Sequence, residues 1–376
     1  MSVDTQSNQQ SSPSMGEMIS GSLIGMAVGD ALGLPREGLK PLRARRIFGD
    51  ELRHRLFLGR GMISDDTEHA CMTGQAILAS KGDVGRFRKS LAWKLRWWLM
   101  GVPAGIGLGT LRSILKLWIG ISPTKSGARS AGNGPAMRAP IIGVLGAGNP
   151  EWMEESVRAS TLMTHRDIRA DEGALVTGAA AEFSASNGGK ISDWNKVLSH
   201  VRKYITQDEL SARMDLVERH LIRGSDPEEL SHEMGQANGV SGYINNTVPV
   251  AIYCWLRFPD DYASSVSQAI RLGGDSDTVG AITGALAGQT VGLAGIPAAW
   301  IEGMMEWPRT VSWILDLADR LALFHEDHHD SSISDDSIAD DSIRPKRLFW
   351  PGQFARNLFF AAVVLTHGFR RLFPPY

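Results

Sequence analysis

The sequence predicts an all-α protein with a single compact core, and three observations carry that expectation. Few segments alternate apolar and polar residues with period two, and Val, Ile and Thr do not gather into strand-like runs. Apolar residues recur at helical spacing through most of residues 15–324. Two stretches carry a glycine at every fourth position: Gly21, Gly25, Gly29 and Gly33 in the first, and Gly280, Gly284, Gly288 and Gly292 in the second. Residues four apart share a helix face. Glycine costs a helix about 1 kcal/mol relative to alanine, so such faces imply close backbone packing, and the two could pack on each other.

Composition bounds the function. The chain has 376 residues, 43% apolar and 21% charged, which is ordinary for a globular protein. A formal net charge of −2 provides no basic field, so nucleic acid is not an expected partner. Two cysteines, Cys71 and Cys254, are too few for a disulfide framework and lie in apolar patterns, which suits a reducing cytoplasm. Residues 1–14 are polar, with no basic residue and no apolar core. They read as a disordered lead-in, not a signal peptide.

From residue 15 the elements follow in order. The glycine-faced helix of 15–33 ends near Pro35, with Asp30, Arg36 and Glu37 at its exit. Residues 38–60 are basic and irregular, with room for a short helix. A helix follows Ser64-Asp65-Asp66-Thr67, and another over 84–100 carries Trp93, Trp97 and Trp98, read as packing residues. After a glycine-rich stretch, helices are expected over Thr110–Ile119, Ala139–Leu145, Pro150–Thr164, Arg169–Phe183 and Trp194–Tyr204. Residues 207–234 are charged and amphipathic. Pro249 punctuates the approach to an apolar run, Val250–Leu256, and a helix over 261–272 leads into the second glycine-faced segment. This all-α domain of 15–324 is followed by an acidic linker, 325–346. There Asp-Asp-Ser-Ile occurs twice, and the histidines of 325–329 read as solvated, not as a metal site. Residues 347–376 are apolar and basic. The apolar core Leu358–Leu365 is too short to span a bilayer, which takes about 20 residues. It is expected to form a short helix that docks on the domain, on a partner or on a membrane surface.

Two acidic clusters stand out, Ser64-Asp65-Asp66-Thr67 and Asp275-Ser276-Asp277-Thr278. Either alone reads as a helix cap, since Ser, Asp and Thr oxygens accept the free N–H groups of a first turn. The pair opens a second reading. Their carboxylates, gathered together, would repel unless cations neutralised them, and hard divalent ions take such oxygen ligands. The small-residue loop Ser126–Gly134, followed by Pro135 at an expected helix start, allows backbone N–H groups to approach an anion. Arg129 and Arg138 favour the same ligand charge.

Taken together, the segments Gly25–Glu37, Ser64–Thr67, Gly132–Arg138, Thr164-His165, Ser241-Gly242-Tyr243 and Gly273–Thr278 resemble the ADP-ribosylglycohydrolase family, in family order. The resemblance covers nearly all of residues 15–310. It implies an all-α, compact orthogonal helical bundle holding two divalent cations, Mg²⁺ or Mn²⁺, on Ser64, Asp65, Asp66, Asp275, Asp277 and Thr278. The ions would hold the distal ribose of an ADP-ribosyl group, carried by a protein or a small molecule. A metal-bound water, oriented by a carboxylate, would attack the anomeric carbon. Asp65, Asp66 and Glu37 are the implied catalytic carboxylates, Glu37 approaching or gating the metals. Gly132, Asn133, Gly134 and Met137 match the loop around the phosphates and ribose, and His165 and Tyr243 match pocket positions. Ser64 stands where relatives usually carry threonine, Ala131 where many carry an aromatic near the adenine, and Asn246 where an aspartate is expected. The expected protein is a cytoplasmic, monomeric hydrolase. A non-catalytic ADP-ribose-binding or structural member and a two-metal phosphohydrolase are the competing classes.

Overall fold

Two glycine-faced helices, Met15–Gly33 and Ser276–Val291, form the axis of the protein. The computed structural model describes residues 12–329 and 344–374. The expected disorder of residues 1–11 and most of the expected acidic linker, 330–343, lie outside the described residues. Among the described residues there are seventeen α-helices and isolated β-bridges, but no strand.

The axial pair is held at backbone distance. A Cβ added to Gly21, Gly25 or Gly29 would fall on the carbonyl of Gly288, Gly284 or Gly280, and one on Gly33 would fall on that of Ser276. Gly292 stays beside Gly21 but lies just past the helix. It ends the second helix with φ 69°, a left-handed conformation that suits glycine. Both helices are buried on nearly all sides, which is why they lack an amphipathic pattern. Met15–Arg36 is apolar and long enough to cross a bilayer, but its apolar window is 100% buried inside the protein.

The other helices wrap this axis. Tyr262–Arg271 and Ile244–Arg257 pack on the second axial helix, and Val311–His329 packs on the first. Asp65–Ser80 touches both, and Ala139–Leu145, Pro150–Leu162 and Ile168–Ser186 form an adjoining group. One hydrophobic cluster runs through all of these.

Several boundaries differ from the sequence expectation. Pro249 lies inside the helix Ile244–Arg257. It removes the N–H that would bond to the Asn245 carbonyl, and its ring crowds that carbonyl, yet the helix continues through it. Of the three tryptophans, Trp98 alone is core. Trp93 and Trp97 are 56% and 52% exposed, and line a cavity of about 950 Å³ with Trp350. The region of 325–346 does not begin as a linker, because Val311–His329 carries the last helix of the domain through its first five residues. The lead-in ends in an ordered cap: the Ser14 side chain accepts from the Glu17 N–H, and the Glu17 carboxylate accepts from the Ser14 N–H at 2.8 Å.

The C-terminal segment forms the helix Trp350–Arg370, which lies on the domain. Phe360 and Val363 are buried with Leu34, Leu56 and Met62. Phe359 meets Phe57 edge-on at 5.1 Å.

Candidate functional site

The axial packing decides where the acidic residues go. With Gly33 against Ser276, the exit of the first helix meets the start of the second, and Ser276 Oγ donates to the Gly33 carbonyl at 3.0 Å. The two glycines before Asp275 complete the join. Gly38 N–H donates to Gly274 O at 2.6 Å, Gly274 N–H to Leu39 O at 2.9 Å, and Val240 N–H to Gly273 O at 3.1 Å. Both glycines have positive φ, 66° and 75°, and a Cβ on Gly274 would overlap the Val240 backbone. This junction carries Glu37 and Asp275 on adjoining strands of loop.

The first acidic cluster enters through Asp30. This fully buried carboxylate accepts from Ser64 N–H at 2.9 Å, from Thr67 N–H at 3.2 Å and from Thr67 Oγ1 at 2.6 Å. It thus fixes the start of the Asp65–Ser80 helix onto the first axial helix. Asp30 was not among the sequence-derived site residues. The available signal was a lone carboxylate in the apolar, glycine-faced run that follows Glu17 in this helix.

The two clusters meet. Asp66 Oδ2 accepts from Ser64 Oγ and from Thr278 Oγ1, each at 3.2 Å. The capping reading holds for one cluster and not the other. Ser64 accepts from Asp66 N–H, whereas Asp275 makes no side-chain cap. The Asp275 carboxylate instead accepts from Asn133 Nδ2 at 2.6 Å, so its charge faces the loop that carries Asn133.

Electrostatics sets this region apart from an ordinary pair of helix starts. Burial raises the Asp66 carboxyl well above the carboxylate range, reinforced by Asp30, Asp65 and Asp275. Burial does the same to Asp277, reinforced by Glu37, Asp275, Asp66 and Asp30, and to Asp65, reinforced by Asp30, Glu68 and Glu37. Asp30 is raised to about 6, chiefly by burial. Glu37 is raised by burial and by Asp275, against an opposing pull from Arg371. Asp30 Oδ1, Asp66 Oδ1 and Asp277 Oδ1 are buried with no hydrogen-bond partner. Among the described residues no three His, Cys, Asp or Glu side chains stand as a preformed metal-ligand group. The donor set is nevertheless one of carboxylates with unsatisfied oxygens beside the hydroxyls of Ser64 and Thr278. That is the chemistry a hard divalent cation requires.

The loop of Gly132–Met137 borders the acidic region. Asn133 N–H donates to Gly242 O at 3.1 Å, and Ile244 N–H to Ala131 O at 3.0 Å. Asn133 Nδ2 also reaches Thr247 Oγ1 at 3.0 Å. Tyr243 is half-buried at the rim, where its hydroxyl donates to Glu209 at 2.5 Å and its ring lies 5.6 Å from the Arg169 guanidinium. Gly134 and Met137 are buried, and Gly132 is partly open.

Two expectations for this loop change. The helix does not start at Pro135: residues 134–138 form turns closed by three-residue hydrogen bonds, and the helix is Ala139–Leu145. Arg138 points into the core, bonding Thr164 Oγ1 at 2.7 Å, the Ser160 carbonyl at 3.0 Å and His69 Nδ1 at 3.1 Å. It supports the loop from below and offers no charge at the surface, while Arg129 is exposed. His165 is also 3% exposed, packed beneath Gly132 and Gly134. Burial, then Arg138, pushes it down to about 3, so it is neutral. Asn246, at the position expected to be an aspartate, is buried and donates to Ser241 Oγ at 2.9 Å.

Known proteins resemble this chain over most of its length. The sequence model described as ADP-ribosylglycohydrolase matches residues 11–331. An uncharacterized protein of Archaeoglobus fulgidus is 31% identical over 298 residues, covering 78% of this chain and 93% of its own. The ADP-ribosyl-[dinitrogen reductase] glycohydrolase of Rhodospirillum rubrum is 28% identical over 300 residues, covering 77% of this chain and 91% of its own. A solved structure titled ADP-ribosylglycohydrolase-related protein complex superposes with a TM-score of 0.62 at 26% identity, covering 82% of this chain and 98% of its own.

Proposed function

Because the chain belongs to the ADP-ribosylglycohydrolase family, we propose that it is a cation-dependent hydrolase. It removes ADP-ribose from a mono-ADP-ribosylated protein or small molecule by cleaving the glycosidic bond at the distal ribose. The observation that carries this reading is the meeting of the two acidic clusters at Asp66 and Thr278, with buried carboxylate oxygens left unpartnered on Asp66 and Asp277. Ser64, Asp65, Asp66, Asp275, Asp277 and Thr278 would hold two Mg²⁺ or Mn²⁺ ions. When bound, such cations supply charge stabilisation and make water a competent nucleophile near neutral pH.

The chain's own residues supply the rest. Hydrolysis adds water to the anomeric carbon as the bond to the acceptor breaks, and a proton passes to the departing acceptor. Glu37 is half-buried at the junction beside Asp275, and its raised carboxyl suits the holding and release of that proton. Asn133 orients Asp275 and ties it to the 132–137 loop, whose backbone can approach the ribose and phosphates. Tyr243 pairs with Arg169 beside that loop, its backbone neighbour Gly242 bonding Asn133. His165, neutral and packed under the loop, supports Gly132 and Gly134. The two free cysteines are buried, which fits work in a reducing cytoplasm.

The test is turnover of ADP-ribosyl-arginine, ADP-ribosyl-serine and O-acetyl-ADP-ribose, with Mn²⁺ or with EDTA. Release of free ADP-ribose from at least one, abolished by EDTA, is expected. Binding of ADP-ribose without turnover would mark a non-catalytic member. Release of AMP or phosphate would mark a phosphohydrolase.

A further inference from the structure

The helix Trp350–Arg370 lies outside the region matched to the family, which ends at residue 331. It nevertheless reaches the backbone beside Ser64 and, through Arg371 just past its end, the backbone near Glu37. Arg356, 6% exposed, donates from Nε to Glu306 Oε1 and from Nη2 to Glu306 Oε2, each at 2.7 Å. The same Nη2 donates to the Ile63 carbonyl at 2.5 Å, and Glu306 Oε2 accepts from the Ile63 N–H at 3.0 Å. One buried ion pair therefore satisfies both backbone groups of the residue before Ser64. One turn earlier, Gln353 donates to Glu68, in the first turn of the Asp65–Ser80 helix, where Arg309 also pairs with it at 2.8 Å. At the far end His367 Nε2 lies 2.5 Å from the Leu56 carbonyl. Just beyond the helix, Arg371 Nη2 donates to the Pro35 carbonyl at 3.2 Å, two residues before Glu37.

We propose that this C-terminal helix is part of the scaffold of the acidic site, and that Arg356 is a positioning residue for Ser64, Asp65 and Asp66. The Glu306–Arg356 pair fixes the Ile63 peptide groups, and so fixes where the Ser64 hydroxyl and the two carboxylates leave the helix start. A buried bidentate pair is suited to this, because its planar geometry restrains direction as well as distance. What those residues hold rests on the cation-dependent reading above, whereas the positioning itself does not.

The test uses the full chain with Arg356→Met and Arg356→Lys. Hydrogen exchange of residues 61–68 is followed without cation, and Mn²⁺ affinity is measured by calorimetry well below each melting temperature. Arg356→Met is expected to speed exchange in 61–68 at least tenfold and to weaken Mn²⁺ binding at least fivefold. Arg356→Lys, which keeps the charge but loses the bidentate fork, should fall between, with residues 350–370 still protected; it carries the test if Arg356→Met does not fold. Exchange and Mn²⁺ affinity both within twofold of the parent, even with a lowered melting temperature, would overturn the proposal. If the parent protein itself takes up no Mn²⁺, the cation-dependent reading fails, and the exchange result alone decides the role of Arg356.

Discussion

Thr278 Oγ1 donates to Asp66 Oδ2 at 3.2 Å, joining two helix starts that lie 212 residues apart in the chain. Each start alone is an ordinary cap sequence. Together they gather buried carboxylates whose repulsion only protonation or a cation relieves. Stability should therefore depend on both pH and metal.

The sign follows from proton binding. Asp65, Asp66 and Asp277 are raised well above the usual range, and Asp30 to about 6. At these carboxyls the folded state thus binds more protons than the unfolded chain, whose carboxyls titrate at about 4, so their contribution to stability falls as pH rises above that value. Buried His54, His69 and His165, held below the usual imidazole range, pull the other way but are fewer than the raised carboxyls counted with Glu37. The loss runs from about pH 4 to 6 for Asp30 and continues higher for the other three. In EDTA the melting temperature should be higher at pH 5.5 than at pH 7.5. Millimolar Mn²⁺ should raise it more at pH 7.5, where the carboxylates are better ionised. Scanning calorimetry at the two pH values checks this, and equal melting temperatures in EDTA would refute it.

The glycine faces make a prediction of opposite sign to helix propensity. Gly25→Ala gains about 1 kcal/mol of intrinsic helix preference. Its Cβ, however, would fall on the Gly284 carbonyl. Overpacking of this kind costs about 1–3 kcal/mol or more, so the variant should be less stable in urea denaturation. Gly368→Ala is the control: the added Cβ meets nothing within 4 Å, and the site is helical. That variant should be as stable as the parent or more so.

Asn133 links the ligand loop to Asp275 through a bond of 2.6 Å. A hydrogen bond to a charged group contributes about 1.5–3 kcal/mol. Asn133→Ala should therefore lower kcat/KM ten- to hundredfold and, through the same lost bond, lower the melting temperature by a few degrees. Unchanged kcat/KM on an active substrate would remove Asn133 from the site.

The sequence made some of this legible and hid the rest for physical reasons. Glycine spacing exposed the axial pair because glycine leaves a pattern on a helix face regardless of what lies opposite. The acidic clusters were visible because Ser-Asp-Asp-Thr and Asp-Ser-Asp-Thr concentrate oxygens at helix starts. Their meeting was not visible, because it depends on Gly33 packing against Ser276, a contact set by the tertiary fold. Arg138 misled for a related reason. It stands in loop-like sequence, and only the turns of 134–138 direct it inward to Thr164. Asp30 and Arg356 escaped because each acts on backbone groups of a distant segment, and such bonds leave no local pattern. Pro249 shows the reverse error: a strong local breaker is tolerated where the surrounding helix is buried on all sides.

The central claim is that the two acidic clusters form one cation site. Calorimetric titration of Mn²⁺ into the parent protein, Asp66→Asn, Asp277→Asn and the double variant tests it most directly. If the clusters form one site, each single substitution should weaken binding at least tenfold, and the double variant should lose far less than the product of the two single losses. Parent-like Mn²⁺ binding in both single variants, or losses that multiply as for independent sites, would contradict it.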